Sequence, residues 1–293
     1  MATKKIVNII GGIGNQMFQY AFAIALKHRY PEEHALIDIS HFKHYNLHSG
    51  FELQRVFNIK LPIAQRKDIT QTSYYIPHYT LSRFLRRILP RKKTEYIEKA
   101  PYCYDSQAQS VTGDCYFEGY WQSPKYFDKV VDGVCEAFEF PEICDPENIE
   151  LSNMISEDNS ITVHVRRGDY VNAPNFKDIC TLNYYSNALV AAQAKIKNPR
   201  FFIFSNDITW CKEHIIPFIQ NHEVRFVDCN KDCNSYRDMQ LISLGRCCII
   251  ANSSFSWWGA WLNKRQDKIV IAPSRWVNST NSKDIYPEGW ILL

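Results

Sequence analysis

The sequence predicts an α/β fold with two domains, each built on a parallel β-sheet, and two observations lead to this prediction. Short apolar runs rich in β-branched residues alternate with helical stretches through the C-terminal half, as in a doubly wound sheet. The N-terminus opens with the same order of strand, glycine turn and helix. A chain of 293 residues is long enough for two compact domains. We therefore expect two Rossmann-like domains, 1–150 and 151–293, facing a central cleft.

In the N-terminal half, the first strand is predicted over Ile6–Ile10, because this β-branched run ends at a pair of glycines. A helix is predicted from Asn15 to Leu26, and a second strand over Ala35–Ile39. Residues 40–101 show no clear period, which indicates loops and short helices.

The C-terminal half is predicted to follow a linker, the acidic and proline-containing stretch 139–158. Beyond it, helices are predicted over Tyr184–Lys195 and Ser235–Leu244. The predicted strands are Ile161–Val165, Phe201–Phe204, Val224–Val227, Cys247–Ile250 and Ile269–Ile271.

The composition is that of a globular protein and excludes several other classes. Hydrophobic residues make up 45% of the chain, and the net charge is only +3, so intrinsic disorder is excluded. A net charge this small does not by itself indicate a nucleic-acid partner. The ten cysteines are scattered along the chain, which indicates reduced thiols and argues against a disulfide scaffold. No apolar run is long enough for a signal peptide or a membrane span, and we expect a cytoplasmic protein.

The glycine turn near the N-terminus only partly matches a dinucleotide-binding fingerprint. Gly12 and Gly14 supply the first two glycines, but Met17 stands where the third belongs, and no Walker lysine follows. A nicotinamide cofactor is therefore not expected. The turn still lets a ligand approach the backbone closely, and Asn15 either faces that ligand or caps the helix.

Polar side chains follow four consecutive strands of the C-terminal half, at the edge where open parallel sheets bind ligands. Arg166 or Arg167 is suited to hold phosphate oxygens through paired hydrogen bonds, with Asp169 close by. Asp207 offers a carboxylate to the two N–H groups of a guanine edge. These groups predict a nucleotide diphosphate site. The segments that follow the strands are Arg166–Tyr170, Ser205–Asp207, Asp228–Asn230 and Ala251–Trp258.

The last of these segments starts a helix at Ser253–Ser256, and hydroxyl and free N–H groups at a helix N-terminus bind anions. Each residue alone has a simpler explanation, as a surface Arg–Asp pair or a helix cap. Because all four strand ends carry polar groups suited to a nucleotide, a nucleotide site is favoured over these separate explanations.

The sequence gives little support for a metal site. It contains neither Asp-x-Asp nor His-Glu-x-x-His, and Cys229 and Cys233 with His222 lack the second cysteine pair of a zinc site. Without a metal, arginine and helix-end donors must stabilise the charge on a departing diphosphate.

An aromatic segment, residues 116–127, contains Tyr120, Trp121 and Gln122. Sugars stack their C–H faces on aromatic rings, so these residues are candidates for an acceptor surface. A core strand and turn would explain the segment equally well.

A basic amphipathic helix is predicted within residues 81–93. Its apolar residues share one helical face, and the cations around them have no acid between them. The pattern is typical of a helix on an anionic membrane surface, and also of a surface helix packed on its own domain. The apolar residues are Leu81, Phe84, Leu85, Ile88 and Leu89, and the cations are Arg83, Arg86, Arg87, Arg91, Lys92 and Lys93.

Four motifs, in order and spread over nearly the whole chain, resemble those of bacterial α-1,2-fucosyltransferases, glycosyltransferase family 11. A further segment, Tyr120–Ser123, is similar to one in bacterial members. The four motifs are Gly11–Ala21, His164–Tyr170, Phe204–Asp207 with Trp210, and Asn252–Leu262.

This resemblance implies a GT-B fold, a GDP-β-L-fucose donor, a terminal galactose as acceptor, inversion at the anomeric carbon, and no metal or other cofactor. It places the donor in 151–293 and the acceptor mainly in 1–150. Arg166 would bind the diphosphate, and Asn15 would lie near the transferred sugar. The implied donor-binding residues are Gly12, Gly14, His164, Arg166, Asp207, Ser253, Ser254, Phe255 and Ser256, with Asp169 as a catalytic neighbour.

One departure leaves the general base open. Some related enzymes have a glutamate shortly after the two arginines, where this chain has Asn172-Ala173-Pro174. A neighbouring carboxylate, a histidine or the departing phosphate would have to take the proton. Transfer of another nucleotide-linked sugar, or an inactive glycan-binding module, are the alternative functions. A lipid-linked glycan is a further candidate acceptor, with peripheral contact to the inner membrane through 83–93.

Overall fold

The computed structural model describes residues 3–44 and 49–293, and for Asp169 it describes the backbone only. The chain forms two compact units. Unit 1 comprises Met1–Pro141 with Lys283–Tyr286, and unit 2 comprises Glu142–Ser282 with Pro287–Leu293. The boundary predicted at 150/151 is thus corrected to 141/142, because residue 150 lies inside a helix of unit 2.

Unit 1 is built on a parallel sheet of β1 (Lys4–Asn8), β2 (His34–Asp38), β3 (Glu95–Ile97) and β4 (Cys115–Glu118), in the order β2-β1-β4-β3. Strand β1 ends two residues before the predicted Ile10. The sequence did not predict β3.

Unit 1 has one long α-helix and several short ones. Three of the short helices lie within residues 40–101, where short helices were predicted. The α-helices described in unit 1 are α1 (Ile13–Arg29), α2 (Leu53–Val56), α3 (Arg66–Thr72), α4 (Tyr79–Leu85) and α5 (Val131–Ala137).

Helix α1 is buried on nearly all faces and forms the centre of unit 1. Phe22 on α1 stacks on Trp121, with ring centroids 4.3 Å apart and planes at 12°. The edge of Tyr126 closes this cluster at 5.2 Å from Phe22. These aromatic rings bury large areas and hold the segment after β4 against α1.

The basic amphipathic helix predicted within residues 81–93 is shorter than expected. Helix α4 ends at Leu85, and hydrogen-bonded turns continue to Leu89. The cations also divide, because Arg86 turns inward to Glu95 and Glu118, at 3.2 and 3.0 Å.

The predicted linker 139–158 contains the boundary between the units, but a helix of unit 2 begins within it. Asp145 caps it by accepting a hydrogen bond from the Asn148 N–H at 2.9 Å, and Pro146 fits the first helical position. The helices of unit 2 are α6 (Pro146–Ile155), α7 (Leu182–Gln193), α8 (Ile208–His214), α9 (Tyr236–Ile242) and α10 (Ser254–Trp261).

The sheet of unit 2 is parallel and matches the predicted strands to within one residue at each end. Its strands are β5 (Ser160–Val165), β6 (Arg200–Ser205), β7 (Glu223–Val227), β8 (Cys247–Ile249), β9 (Ile269–Ala272) and β10 (Ile291–Leu292). β10 is an addition that the sequence did not predict. The order β10-β9-β8-β5-β6-β7 is that of a dinucleotide-binding Rossmann sheet. The chain progresses outward in opposite directions from β5 and β8, so ligands are expected beyond the carboxyl ends of these two strands.

Candidate active site

The carboxyl ends of β5 and β8 bring several predicted donor-binding residues together. Arg166 follows β5 directly, and α10 begins shortly after β8. The rings of His164 on β5 and Phe255 on α10 lie 5.8 Å apart, which places both segments at one spot. The topology therefore brings an arginine and a helix N-terminus to the switch point, where open α/β sheets bind ligands.

The N-terminus of α10 has the geometry of an anion site. Ser253 is the N-cap residue, and its side chain makes no capping hydrogen bond. Its carbonyl accepts the Trp257 N–H at 3.0 Å, so the helix starts cleanly there. The first amides of a helix point away from it and carry partial positive charge, which attracts phosphate. Ser254, Phe255 and Ser256 form this first turn.

Asn252 anchors the start of α10 to the rest of unit 2. Its Nδ2 donates to the Trp276 carbonyl at 3.1 Å, and its Oδ1 lies 3.3 Å from the Cys180 sulfur. Burial raises the pKa of the Cys180 thiol to about 12, so this group stays protonated. The anchor positions the helix end without adding a charge.

The two arginines after β5 have different surroundings. Arg167 Nε donates to Asp207 Oδ2 at 3.2 Å, and its guanidinium lies 4.2 Å from the centre of the Trp210 ring. The guanidinium of Arg166 lies over the Tyr170 ring at 5.3 Å. Arg167 is thus held by Asp207 and Trp210, and the assignment of Arg166 as the phosphate ligand stays a prediction.

Gly168 permits the tight turn that follows the arginines. Its φ is +49°, and a Cβ at this position would collide with the side-chain amide of Asn206. Asn206 Oδ1 accepts the Arg167 N–H at 3.0 Å and so ties the loops after β5 and β6. The side chain of Asp169 lies outside the described part of the chain, and its role stays a prediction.

His164 is neutral at physiological pH. Burial, reinforced by the positive charge of Arg166, lowers its pKa to about 3. Its Nδ1 is buried and has no hydrogen-bond partner among the described residues. Such a weakly basic imidazole is poorly suited to take a proton during catalysis.

Asp207 has the structural role that was predicted only as an alternative, that of a helix cap and ion-pair partner. Its Oδ1 accepts the Trp210 N–H at 3.0 Å and caps α8. Its other oxygen accepts from Arg167, yet the side chain keeps 38% of its surface exposed. Each carboxylate oxygen has further acceptor capacity, so guanine recognition stays a prediction.

Unit 1 brings two other predicted residues together. Gln122, which follows β4, donates from Nε2 to Oδ1 of Asn15 at 2.7 Å. Asn15 lies in the first turn of α1, whose N-cap is Gly12, so Asn15 is not itself the cap. Gly14 is buried beside it. The pair joins the segments after β1 and β4.

Trp121 requires a correction. Its side chain is fully buried and stacks on Phe22. The ring is therefore part of the core and presents no face for a sugar. The φ of +55° at Trp121 turns it inward, which its neighbours in the sequence do not indicate.

Glu98, which follows β3, is a positioning residue that the sequence analysis missed. Its two oxygens accept the N–H groups of Tyr120 and Trp121 at 2.8 and 3.0 Å. Burial raises the pKa of its carboxyl. A Cβ on Gly119 would lie 2.5 Å from the Glu98 Cβ, so only glycine permits this approach. In the sequence, Glu98 is a single acid after the short strand β3, and nothing around it indicates a positioning role.

Gln16 and Gln19 are two further positioning residues on α1, and both are fully buried. Gln16 Nε2 donates to the carbonyls of Gly11 and Gly50, both at 2.8 Å. Gln19 accepts the Ile10 N–H at 2.9 Å and donates to the Gly119 carbonyl at 3.0 Å. Two glutamines within the largely apolar N-terminal two-thirds of α1 are a signal that the sequence contains.

Neither a metal cluster nor a membrane span is found in the part of the chain that the structure describes. There, no three His, Cys, Asp or Glu side chains converge into a cation site. No helix among residues 3–44 and 49–293 is long and apolar enough to cross a bilayer. All ten cysteines are free thiols.

Two curated bacterial proteins match almost the full length of the chain. An alpha-1,2-colitosyltransferase of Escherichia coli is 34% identical over 98% of both chains. The O-antigen biosynthesis glycosyltransferase WbnK of Escherichia coli is 30% identical over 97% of this chain and 98% of its own. Galactoside alpha-(1,2)-fucosyltransferase 2 of Gorilla gorilla gorilla is more distant, at 24% identity over 98% of this chain and 76% of its own.

Solved structures support the fold. The alpha-1,6-fucosyltransferase NodZ soaked with GDP-fucose aligns with a TM-score of 0.51 at 14% identity, over 89% of this chain and 93% of its own. A mutant of Arabidopsis thaliana FUT1 in complex with GDP aligns with a TM-score of 0.53 at 11% identity, over 94% and 71%. The predicted α/β fold of GT-B type is thereby confirmed.

The family model described as glycosyl transferase family 11 matches residues 2–293. Together with the two Escherichia coli relatives, this match shows that the chain is a glycosyltransferase of family 11.

Proposed function

We propose that this glycosyltransferase transfers L-fucose from GDP-β-L-fucose to the 2-hydroxyl of a terminal β-galactose, with inversion at the anomeric carbon. The main support is topological: Arg166 directly follows β5, and α10 begins shortly after the neighbouring strand β8, both at the switch point of the unit 2 sheet. An always-charged guanidinium and a set of helix amides are suited to a diphosphate.

In the proposed reaction, unit 2 binds the donor and Arg166 offsets the charge that develops on departing GDP. The galactose 2-hydroxyl attacks the anomeric carbon as the bond to the diphosphate oxygen breaks. Fixed positive groups aimed at that oxygen lower the barrier, so we propose that no metal ion or other cofactor is needed.

Unit 1 is proposed to bind the acceptor. The Gln122–Asn15 pair, at 2.7 Å, offers amide donors and acceptors to sugar hydroxyls. His164 and Glu98 are poor candidates for the base, because His164 is weakly basic and Glu98 is engaged by two backbone N–H groups. We propose that the proton reaches an oxygen of the departed diphosphate through water, because inversion puts the attacking hydroxyl and that oxygen on opposite faces of the sugar.

Colitose is a second candidate for the transferred sugar, because the 34% identical relative is a colitosyltransferase. Colitose is L-fucose without its 3-hydroxyl, and the same diphosphate site would serve both donors. The 30% identical O-antigen glycosyltransferase supports a bacterial surface glycan as acceptor. A lipid-linked form of that glycan, assembled in the cytoplasm at the inner membrane, is part of the proposal.

The proposal is tested by assaying the purified protein with GDP-fucose, GDP-colitose, GDP-mannose and UDP-galactose. Lactose and type 1 and type 2 chains serve as acceptors, with EDTA present throughout, and the product linkage is determined by NMR. An α-1,2-fucosyl product in EDTA is expected. Preference for GDP-colitose would establish the second candidate. Glycan binding without GDP release from any donor would contradict enzymatic transfer.

A further inference from the structure

Three large apolar side chains of unit 1 project into solvent from one helical face. Leu81 is 47% exposed, Phe84 60% and Ile88 65%. They lie on α4 and the turns that continue it, at spacings of three and four residues, which place side chains on one face. Ser82 is buried on the opposite side. The packing of α4 on unit 1 therefore leaves this apolar face uncovered.

Exposed cations lie between and after the apolar residues, on α4, on the turns that continue it and in the turn before β3. Arg83, Arg87 and Lys93 are exposed, and within the described residues none of them has an acidic partner. Arg83 extends along the Tyr79 ring, with its guanidinium 5.7 Å from the ring centre. The apolar tips and the three cations form what we call the α4 face, defined as Leu81, Arg83, Phe84, Arg87, Ile88 and Lys93.

The acids near this face are already neutralised. Glu95 and Glu118 pair with Arg86, and Glu118 also pairs with Arg91 at 3.1 Å. Lys92 donates to the carbonyls of Thr70 and Ser73. These contacts fix the base of α4 and leave a net positive field on the outer side.

We propose that the α4 face docks on the surface of an anionic phospholipid bilayer. Leu81, Phe84 and Ile88 enter the boundary between headgroups and acyl chains, while the cations contact lipid phosphates. Charge complementarity selects this occupant, because exposed cations without acidic partners, in the same segment as exposed apolar side chains, fit a surface that is negative outside and apolar beneath. The docking is independent of which sugar the enzyme transfers.

The test is flotation of the intact protein with vesicles, without donor or acceptor. Phosphatidylcholine vesicles are compared with vesicles containing 30% phosphatidylglycerol, in low and high salt. We expect binding to the anionic vesicles, and we expect salt to release the protein because it screens surface charge. Absence of binding to anionic vesicles, or equal binding to neutral ones, would overturn the proposal.

Two sets of variants separate the contributions of charge and apolar contact. The triple variant Arg83→Gln, Arg87→Gln and Lys93→Gln is expected to lower partitioning about a hundredfold, at roughly fivefold for each cation. Its control is Lys67→Gln, Lys197→Gln and Lys231→Gln, which removes three exposed lysines elsewhere and should bind normally.

The apolar variant is Phe84→Ser with Ile88→Ser, matched by Val190→Ser on α7, whose side chain is 63% exposed. We expect the first to reduce binding at least tenfold and the second to leave it unchanged. Equal melting temperatures exclude misfolding of either variant. Self-association abolished by the apolar variant, with no vesicle binding, would identify a second copy of the chain as the occupant and contradict the proposal.

Discussion

Arg167 Nε lies 3.2 Å from Asp207 Oδ2, and this ion pair connects the loops that follow β5 and β6. Neither side chain is fully buried, with 28% and 38% of their surfaces exposed. A pair this exposed contributes little to stability on its own. Its effect is to fix the direction of Asp207 at the edge where the nucleotide is expected.

We predict that two Asp207 variants separate its capping role from guanine recognition. Asp207→Ala should destabilise unit 2 by about 1 kcal/mol, because α8 loses its cap. Asp207→Asn keeps a capping oxygen and should melt close to the parent protein, while raising the KM for the GDP-sugar. Melting curves and donor KM measure these effects, and a parental donor KM in the Asn variant would leave Asp207 with its structural role alone.

We predict that Arg166→Ala lowers kcat by about 10²–10³, the typical loss when a transition-state charge partner is removed. The melting temperature should change little, because Arg166 lies outside the strands. Arg225→Ala, which removes an arginine that is 52% exposed in the same unit, is the matched control and should retain activity. Near-normal turnover of Arg166→Ala would refute the assignment.

Gly168→Ala is predicted to weaken donor binding through the loop geometry. Both Gly168 and Gly289 have positive φ, at +49° and +83°, so alanine costs roughly 1–2 kcal/mol of backbone strain at either position. Only at Gly168 does the new Cβ also meet Asn206, whereas nothing lies within 4 Å at Gly289. GDP titration should show weaker binding for Gly168→Ala alone, and equal affinities would argue against this role of the Asn206 contact.

The low pKa of His164 predicts that acid destabilises unit 2. Burial lowers the pKa of His164 in the folded state to about 3, below the ordinary histidine pKa of about 6.5. Between these values the unfolded state binds the extra proton, so the free energy of unfolding falls as pH falls. Asp238 acts in the opposite sense, because burial raises its pKa to about 7.

Urea unfolding at pH 6 and pH 5 measures this dependence. Between pH 6 and pH 5, the free energy of unfolding of the parent protein should fall by about 1 kcal/mol more than that of His164→Gln. The reason is that one pKa unit corresponds to about 1.4 kcal/mol. Asp238 is present in both proteins, so its contribution cancels in the difference. Identical pH dependence would mean that His164 is not a buried neutral imidazole.

We predict that Gln122→Ala impairs use of the acceptor more than of the donor. The substitution removes the 2.7 Å hydrogen bond to Asn15 and leaves the core around Trp121 intact. The KM for lactose should rise several-fold at an unchanged KM for the GDP-sugar. Gln71→Ala, an exposed glutamine of the same unit, is the control, and a rise confined to the donor KM would contradict an acceptor role for Gln122.

The strands of unit 2 could be predicted because each is a short β-branched run between polar segments, and the parallel order then placed Arg166 and Ser253 at one edge. Trp121 could not be placed, because a positive φ turns it into the core and the alternation of residues carries no trace of that turn. The linker prediction is correct for residues 139–145, which contain the boundary between the units, and wrong for the helix that follows. Asp145, Pro146 and Glu147 mark a helix start, and this local signal outweighs the overall acidity of the segment.

The contribution of Glu98 could not be predicted, because its function depends on Gly119, more than twenty residues away, approaching its Cβ. The apolar and basic residues of the α4 face were predicted, but not which of the cations stay exposed. Only the tertiary partners Glu95 and Glu118 decide which cations turn inward.

Asp284 belongs to unit 1 although it lies near the end of the chain. Its carboxylate accepts from the Tyr104 N–H at 3.0 Å and from Lys125 Nζ at 2.6 Å, and its carbonyl accepts from Ser123 Oγ at 2.6 Å. Domains fold as units during synthesis, N-terminal ones first. On the ribosome, however, unit 1 cannot form all its contacts until this late segment has emerged. A nascent chain stalled before residue 284 would therefore lack the three hydrogen bonds that Asp284 makes within unit 1.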